Sequence, residues 1–114
     1  MPDHVHVLLR ALASDAQPLK YFNRWRQWTG HRWRQIACGR LWQEGYWDYV
    51  LRSGDDMLGI AAYIAANPVR MRLAHAVGQY PWAGSTQFTN EQLLAAIQRR
   101  PDWFPSPTAG GPRL

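Results

Sequence analysis

The chain has 114 residues, 46% of them apolar and seven of them tryptophan, with a single cysteine and a formal charge of +5. That suffices for one small domain, and the lone Cys38 excludes an internal disulfide framework and any cysteine-built zinc module, which suits a reducing cytoplasm. No run of 18 apolar residues argues for a membrane span, and twelve arginines against the single Lys20 make a polyanion the expected partner, because guanidinium forks grip phosphate bidentately and stack on bases.

His4-Val5-His6-Val7 alternates as a strand would, and residues 4–10 are expected to form one. On such a strand His4 and His6 share a face about 6.6–6.8 Å apart, within reach of a single metal ion. Taken alone, an H-x-H triplet has a plainer reading as two surface histidines. The polar stretch Ala13 to Pro18 reads as a linker. Pro18 to about Trp28 suits a helix, with proline in its first turn and Tyr21, Trp25 and Trp28 on one stripe. Gly30 is expected to interrupt it, His31 to Ala37 to continue it briefly, and Gly39 to close the segment. Between Asp15 and Glu44 there is no acidic residue. That stretch holds Lys20, Arg24, Arg26, Arg32, Arg34 and Arg40, interleaved with Tyr21, Trp25, Trp28 and Trp33. Cations for the backbone and aromatics for base stacking suit single-stranded or hairpin DNA, although a core helix with a solvated basic face has the same pattern.

Trp42 to Leu51 is rich in aromatic and β-branched residues and reads as a second strand. Ser53-Gly54-Asp55-Asp56 resembles a capping start for a helix that runs to Ala66, where Asn67-Pro68 is expected to end it. In that helix Met57, Ile60 and Ile64 form the expected buried stripe. Gly59, Tyr63 and Asn67 form another, which brings a hydroxyl nucleophile and an amide oxygen to one face, with the glycine leaving the phenol uncrowded. The alternative is a half-buried packing tyrosine and an asparagine chosen to terminate the helix in left-handed geometry. Val69 to Ala76 reads as a short helix or irregular cover, Tyr80-Pro81-Trp82 as a turn, and Thr89-Asn90-Glu91-Gln92 as the cap of a final helix to about Arg100. Residues 105–114, with three prolines and two glycines, are expected to form a disordered tail.

Met1-Pro2-Asp3-His4-Val5-His6-Val7-Leu8-Leu9 resembles the M-P-N-H-V-H-L-L block of the single-tyrosine HUH transposases, in particular the REP-associated tyrosine transposase branch. Gly39-Arg40-Leu41-Trp42-Gln43 with Tyr49-Val50-Leu51-Arg52 is similar to that family's W-Q…V-I-R strand. Ala62-Tyr63-Ile64-Ala65-Ala66-Asn67-Pro68-Val69-Arg70 is similar to its Y-I-x-x-N-P-V-R block, and Tyr80-Pro81-Trp82-Ala83-Gly84-Ser85 to its Y-P-W-S-S turn. The blocks run in order over residues 1–85.

The resemblance implies an α+β fold, a partial ferredoxin-like HUH endonuclease sandwich lacking its first strand, helix and second strand, with residues 1–104 as the truncated transposase domain. It implies that Tyr63 attacks a phosphodiester of single-stranded DNA, leaving a 5′-phosphotyrosine and a free 3′-hydroxyl. It also implies that His4, His6 and Asn67 bind a divalent metal, Mg2+ or Mn2+, although two imidazoles by themselves favour zinc, nickel or copper. A homodimer is one candidate assembly. Asp3 stands where the family has asparagine, and both suit a turn. Loss of the first strand leaves strand edges unpaired, which keeps a non-catalytic DNA-binding remnant as the competing expectation. A small zinc-binding module built on His4 and His6 is a third, with no further ligands clustered nearby.

Overall fold

The computed structural model describes residues 1–52 and 56–100. Among them are three helices, α1 (Pro18–Ile36), α2 (Met57–Arg70) and α3 (Asn90–Gln98), and no strand. The expected α+β ferredoxin-like sandwich is therefore corrected to a helical architecture. Residues 4–10 and 42–51 carry the patterning of strands, but alternation only decides which side chains share a face. A strand also needs a neighbour for its N–H and C=O groups, and neither segment has a ladder among the described residues. Val5, Val7, Tyr49 and Val50 are accordingly exposed.

Two compact units make up the chain, Leu9–Val50 and a second comprising Met1–Leu8 with the described part of Leu51–Leu114. In Leu9–Val50, α1 opens on Pro18, whose missing N–H has no partner to lose in a first turn. It runs unbroken through Gly30, where an interruption was expected. One mid-helix glycine costs only about 1 kcal/mol relative to alanine, and the turns before it are held by aromatic packing. Trp25 meets Trp42 at 5.3 Å between ring centroids, Phe22 meets Trp25 at 5.7 Å, and Phe22 meets Tyr46 edge-on at 5.1 Å. Trp42 Nε1 donates to Thr29 Oγ1 at 2.8 Å, and that hydroxyl donates to the Trp25 carbonyl. Trp42 and Tyr46 are thus held by α1 through their side chains, which is why this segment makes no sheet.

In the other unit, α2 starts at Asp56, whose carboxylate accepts the Gly59 N–H at 2.9 Å. A Cβ on Gly59 would collide with that carboxylate, so the glycine serves the cap. Ser53 to Asp55, the rest of the expected start, lie outside the described residues. The helix also continues past Ala66, with Pro68 inside it. Proline returns no N–H to the Ile64 carbonyl, but the end is closed further on: Met71 N–H donates to the Asn67 carbonyl, Arg72 to Val69 and Leu73 to Pro68. The left-handed residue of that closure is Arg72, with φ +59, so Asn67 is not the helix terminator.

α3 has both halves of the expected capping box between Thr89 and Gln92. It packs on α2 through Leu93, Ala96 and Ile97 against Ala62 and Ala66, fringed by Leu58, Ala65, Val77 and Phe88. The expected Met57, Ile60 and Ile64 stripe is only half-buried, whereas Gly59, Tyr63 and Asn67 are buried. Small alanines at the contact let two helices approach closely, and that chose the core face over raw hydropathy. Arg100 reaches Asp56 at 3.5 Å. No helix among the described residues is long and apolar enough to cross a membrane. Residues 101–114, including the expected tail, lie outside the described residues.

Candidate active site and nucleic-acid face

Tyr63 lies midway along α2 with 8% of its surface exposed, and Asn67, one turn on, is likewise 8% exposed. Arg70 joins them. Its Cζ lies 4.8 Å from the centroid of the Tyr63 ring, and its Nη1 donates to Asn67 Oδ1 at 3.2 Å. The guanidinium therefore rests on the electron-rich face of the phenol ring while one fork arm holds the amide oxygen. As a cation in the last turn it also faces the negative end of the helix dipole. Arg70 stands seven residues after Tyr63 and three after Asn67, so helical spacing could have found it. Ending α2 at Ala66 hid it.

His4 and His6 meet although residues 4–10 form no strand: their rings are edge-on, 4.9 Å between centroids and 87° between planes. His4 Nδ1 donates to Asp3 Oδ1 at 2.6 Å, which leaves Nε2 to accept or ligate. A carboxylate behind an imidazole is the usual way a metal-ligating histidine is oriented. That hydrogen bond is the main reason the Asp3 carboxyl titrates below its usual range, with burial opposing it and His4 adding to it. Burial lowers the His6 imidazole, helped by His4 and the N-terminal ammonium, and this favours the neutral form that binds metals.

Two neighbouring imidazoles could supply two ligands to one cation, which would need its remaining ligands from elsewhere. Among the described residues no third histidine, cysteine, aspartate or glutamate joins them. The Asn67 oxygen accepts a bond from Arg70, and a guanidinium there would repel a cation on the same atom. Asn67 suits a third donor only with Arg70 turned aside.

On α1, Lys20, Arg24, His31 and Arg34 recur with Gln27 on one exposed face, a stripe about 21 Å long at 1.5 Å per residue. Beside it Tyr21 and Trp28 are 67% and 62% exposed, and Arg32 lies over Trp28 at 5.6 Å. Arg40 is exposed beyond the helix. Arg26 is committed elsewhere: it donates to the Gln43 and Gly45 carbonyls at 2.8 and 3.3 Å and lies 4.8 Å over the Tyr46 ring. His31 and Arg34 join Lys20, Arg24 and Gln27 on the stripe because the helix continues through Gly30.

No protein-family model matches the chain. A Haemophilus influenzae protein named "Putative REP-associated tyrosine transposase" is 27% identical over 95 residues, covering 73% of this chain and 53% of that protein. The chain is similar to a transposase. It spans about half the length of that relative. No solved structure matches it.

Proposed function

We propose that this chain is a transposase-type strand transferase of the single-tyrosine kind, acting on single-stranded or hairpin DNA with Tyr63 as nucleophile. The observation that carries the reading is the Tyr63, Asn67 and Arg70 cluster on α2, where one guanidinium lies over the ring of the candidate nucleophile and holds the amide oxygen one turn on. Similarity to a protein named as a transposase supports it.

In this reading the Tyr63 oxygen attacks phosphorus, a tyrosine–phosphorus ester forms, and the bond to the 3′-oxygen breaks. The phenol proton is balanced by the proton the 3′-oxygen takes up, giving a 5′-phosphotyrosine and a free 3′-hydroxyl. One phosphodiester replaces another, so the step reverses without ATP. His4 and His6 would hold the divalent cation, Mg2+ or Mn2+, which supplies charge to offset that developing on the phosphate. Lys20, Arg24 and Arg34, with His31, serve the DNA backbone, Tyr21 and Trp28 stack on bases, and Arg32 and Arg40 add charge.

DNA binding without nicking is the second reading, favoured by the burial of Tyr63. Labelled single-stranded DNA incubated with manganese separates the two. The first expects a covalent adduct with the wild-type chain and none with Tyr63→Phe, at similar DNA affinity. Affinity without any adduct leaves the second.

A further inference from the structure

We propose that Arg70 is a phosphate-contacting residue of the Tyr63 site, its guanidinium resting on the phenol ring and the Asn67 oxygen until a phosphodiester takes it. The proposal rests on the reading of Tyr63 as nucleophile. Arg70 lies across one ring face of a tyrosine that is only 8% exposed, so a phosphodiester brought over that face meets the guanidinium. Engagement is favoured by charge. The present partners, an amide oxygen and an aromatic face, are both neutral, whereas a phosphate is an anion whose oxygens match the planar fork.

Arg70 is also not needed to close α2. The carbonyls of Asn67, Pro68 and Val69 already receive backbone N–H groups from Met71, Leu73 and Arg72. Among the described residues its side chain is thus held by the two groups of the candidate site, and it can leave them without opening the helix. Transfer to a phosphate also releases Asn67 Oδ1, so the amide becomes available to a cation only when substrate is in place.

The test compares the wild-type chain with Arg70→Gln and Arg70→Lys, using a single-stranded oligothymidylate as probe. Affinity is measured against salt without metal, and the rate of covalent attachment is measured with manganese at saturating probe. Arg70→Gln should flatten the log-affinity against log-salt slope by about 0.7, the value for one single-strand phosphate contact. It should also slow attachment about tenfold or more. Arg70→Lys should keep the slope but attach more slowly, because an ammonium is a point charge without the fork. A wild-type slope in an Arg70→Gln chain of unchanged helicity overturns the proposal. Should Arg70→Gln lose its helicity, Arg70→Lys decides: attachment at the wild-type rate overturns the proposal, and slower attachment at an unchanged slope supports it. If the wild-type chain forms no adduct, the nucleophile reading fails, and the Arg70→Gln slope still judges Arg70.

Discussion

Arg72 occupies a backbone conformation that a side chain disfavours, with φ +59, where the end of α2 needs a left-handed residue. Arg72→Gly removes that conflict and should stabilise the chain by about 0.5–1 kcal/mol, read as a raised denaturant midpoint. A lowered midpoint would show that the arginine side chain contributes more than its backbone costs. Gly59→Ala works in the opposite direction. The new methyl displaces the Asp56 carboxylate from the cap it makes to the Gly59 N–H, and the loss should be about 1 kcal/mol by the same measurement. Tyr63 and Asn67 were legible in the sequence as a pair one helical turn apart. Arg70 was not, because the rule that a residue before proline leaves the helix was applied at Asn67, where the closure at Arg72 overrides it.

α1 carries two kinds of arginine, and an experiment can separate them. Arg24 and Arg34 lie on the exposed stripe, whereas Arg26 is fixed to the Gln43 and Gly45 carbonyls and to the Tyr46 ring. Arg24→Gln with Arg34→Gln should flatten the salt slope of single-strand binding by about 1.4. Arg26→Gln should leave the slope alone and lower the thermal midpoint instead. A reversed result would place the DNA face on the other side of α1. Caps and helical periodicity are local, so the sequence revealed the existence of all three helices and the Thr89 and Gln92 box of α3. The supposed strands failed at this same scale. Trp42 and Tyr46 satisfy themselves on α1 through ring packing and side-chain hydrogen bonds, and no periodicity distinguishes that from sheet packing.

For the molecule as a whole, fold class depends on which distant segments pair, and alternation in residues 4–10 says nothing about a partner strand. The metal reading depends on long-range placement too, since His4 and His6 precede α2 by some fifty residues yet share its compact unit. His4→Ala combined with His6→Ala should abolish manganese-dependent attachment of DNA, with little rescue by excess metal. Asn67→Ala should lose less and be rescued further, because two imidazoles remain to hold the ion. Full activity of Asn67→Ala at limiting manganese would make the site a two-histidine one.

Whether Tyr63 is a nucleophile toward DNA is decided by locating the covalent bond. The wild-type chain is incubated with single-stranded DNA and manganese, digested, and the nucleotide-bearing peptide sequenced by mass spectrometry. A 5′-phosphonucleotide is expected on Tyr63, and none in the Tyr63→Phe chain. Attachment at another residue, or an adduct that survives Tyr63→Phe, would contradict it.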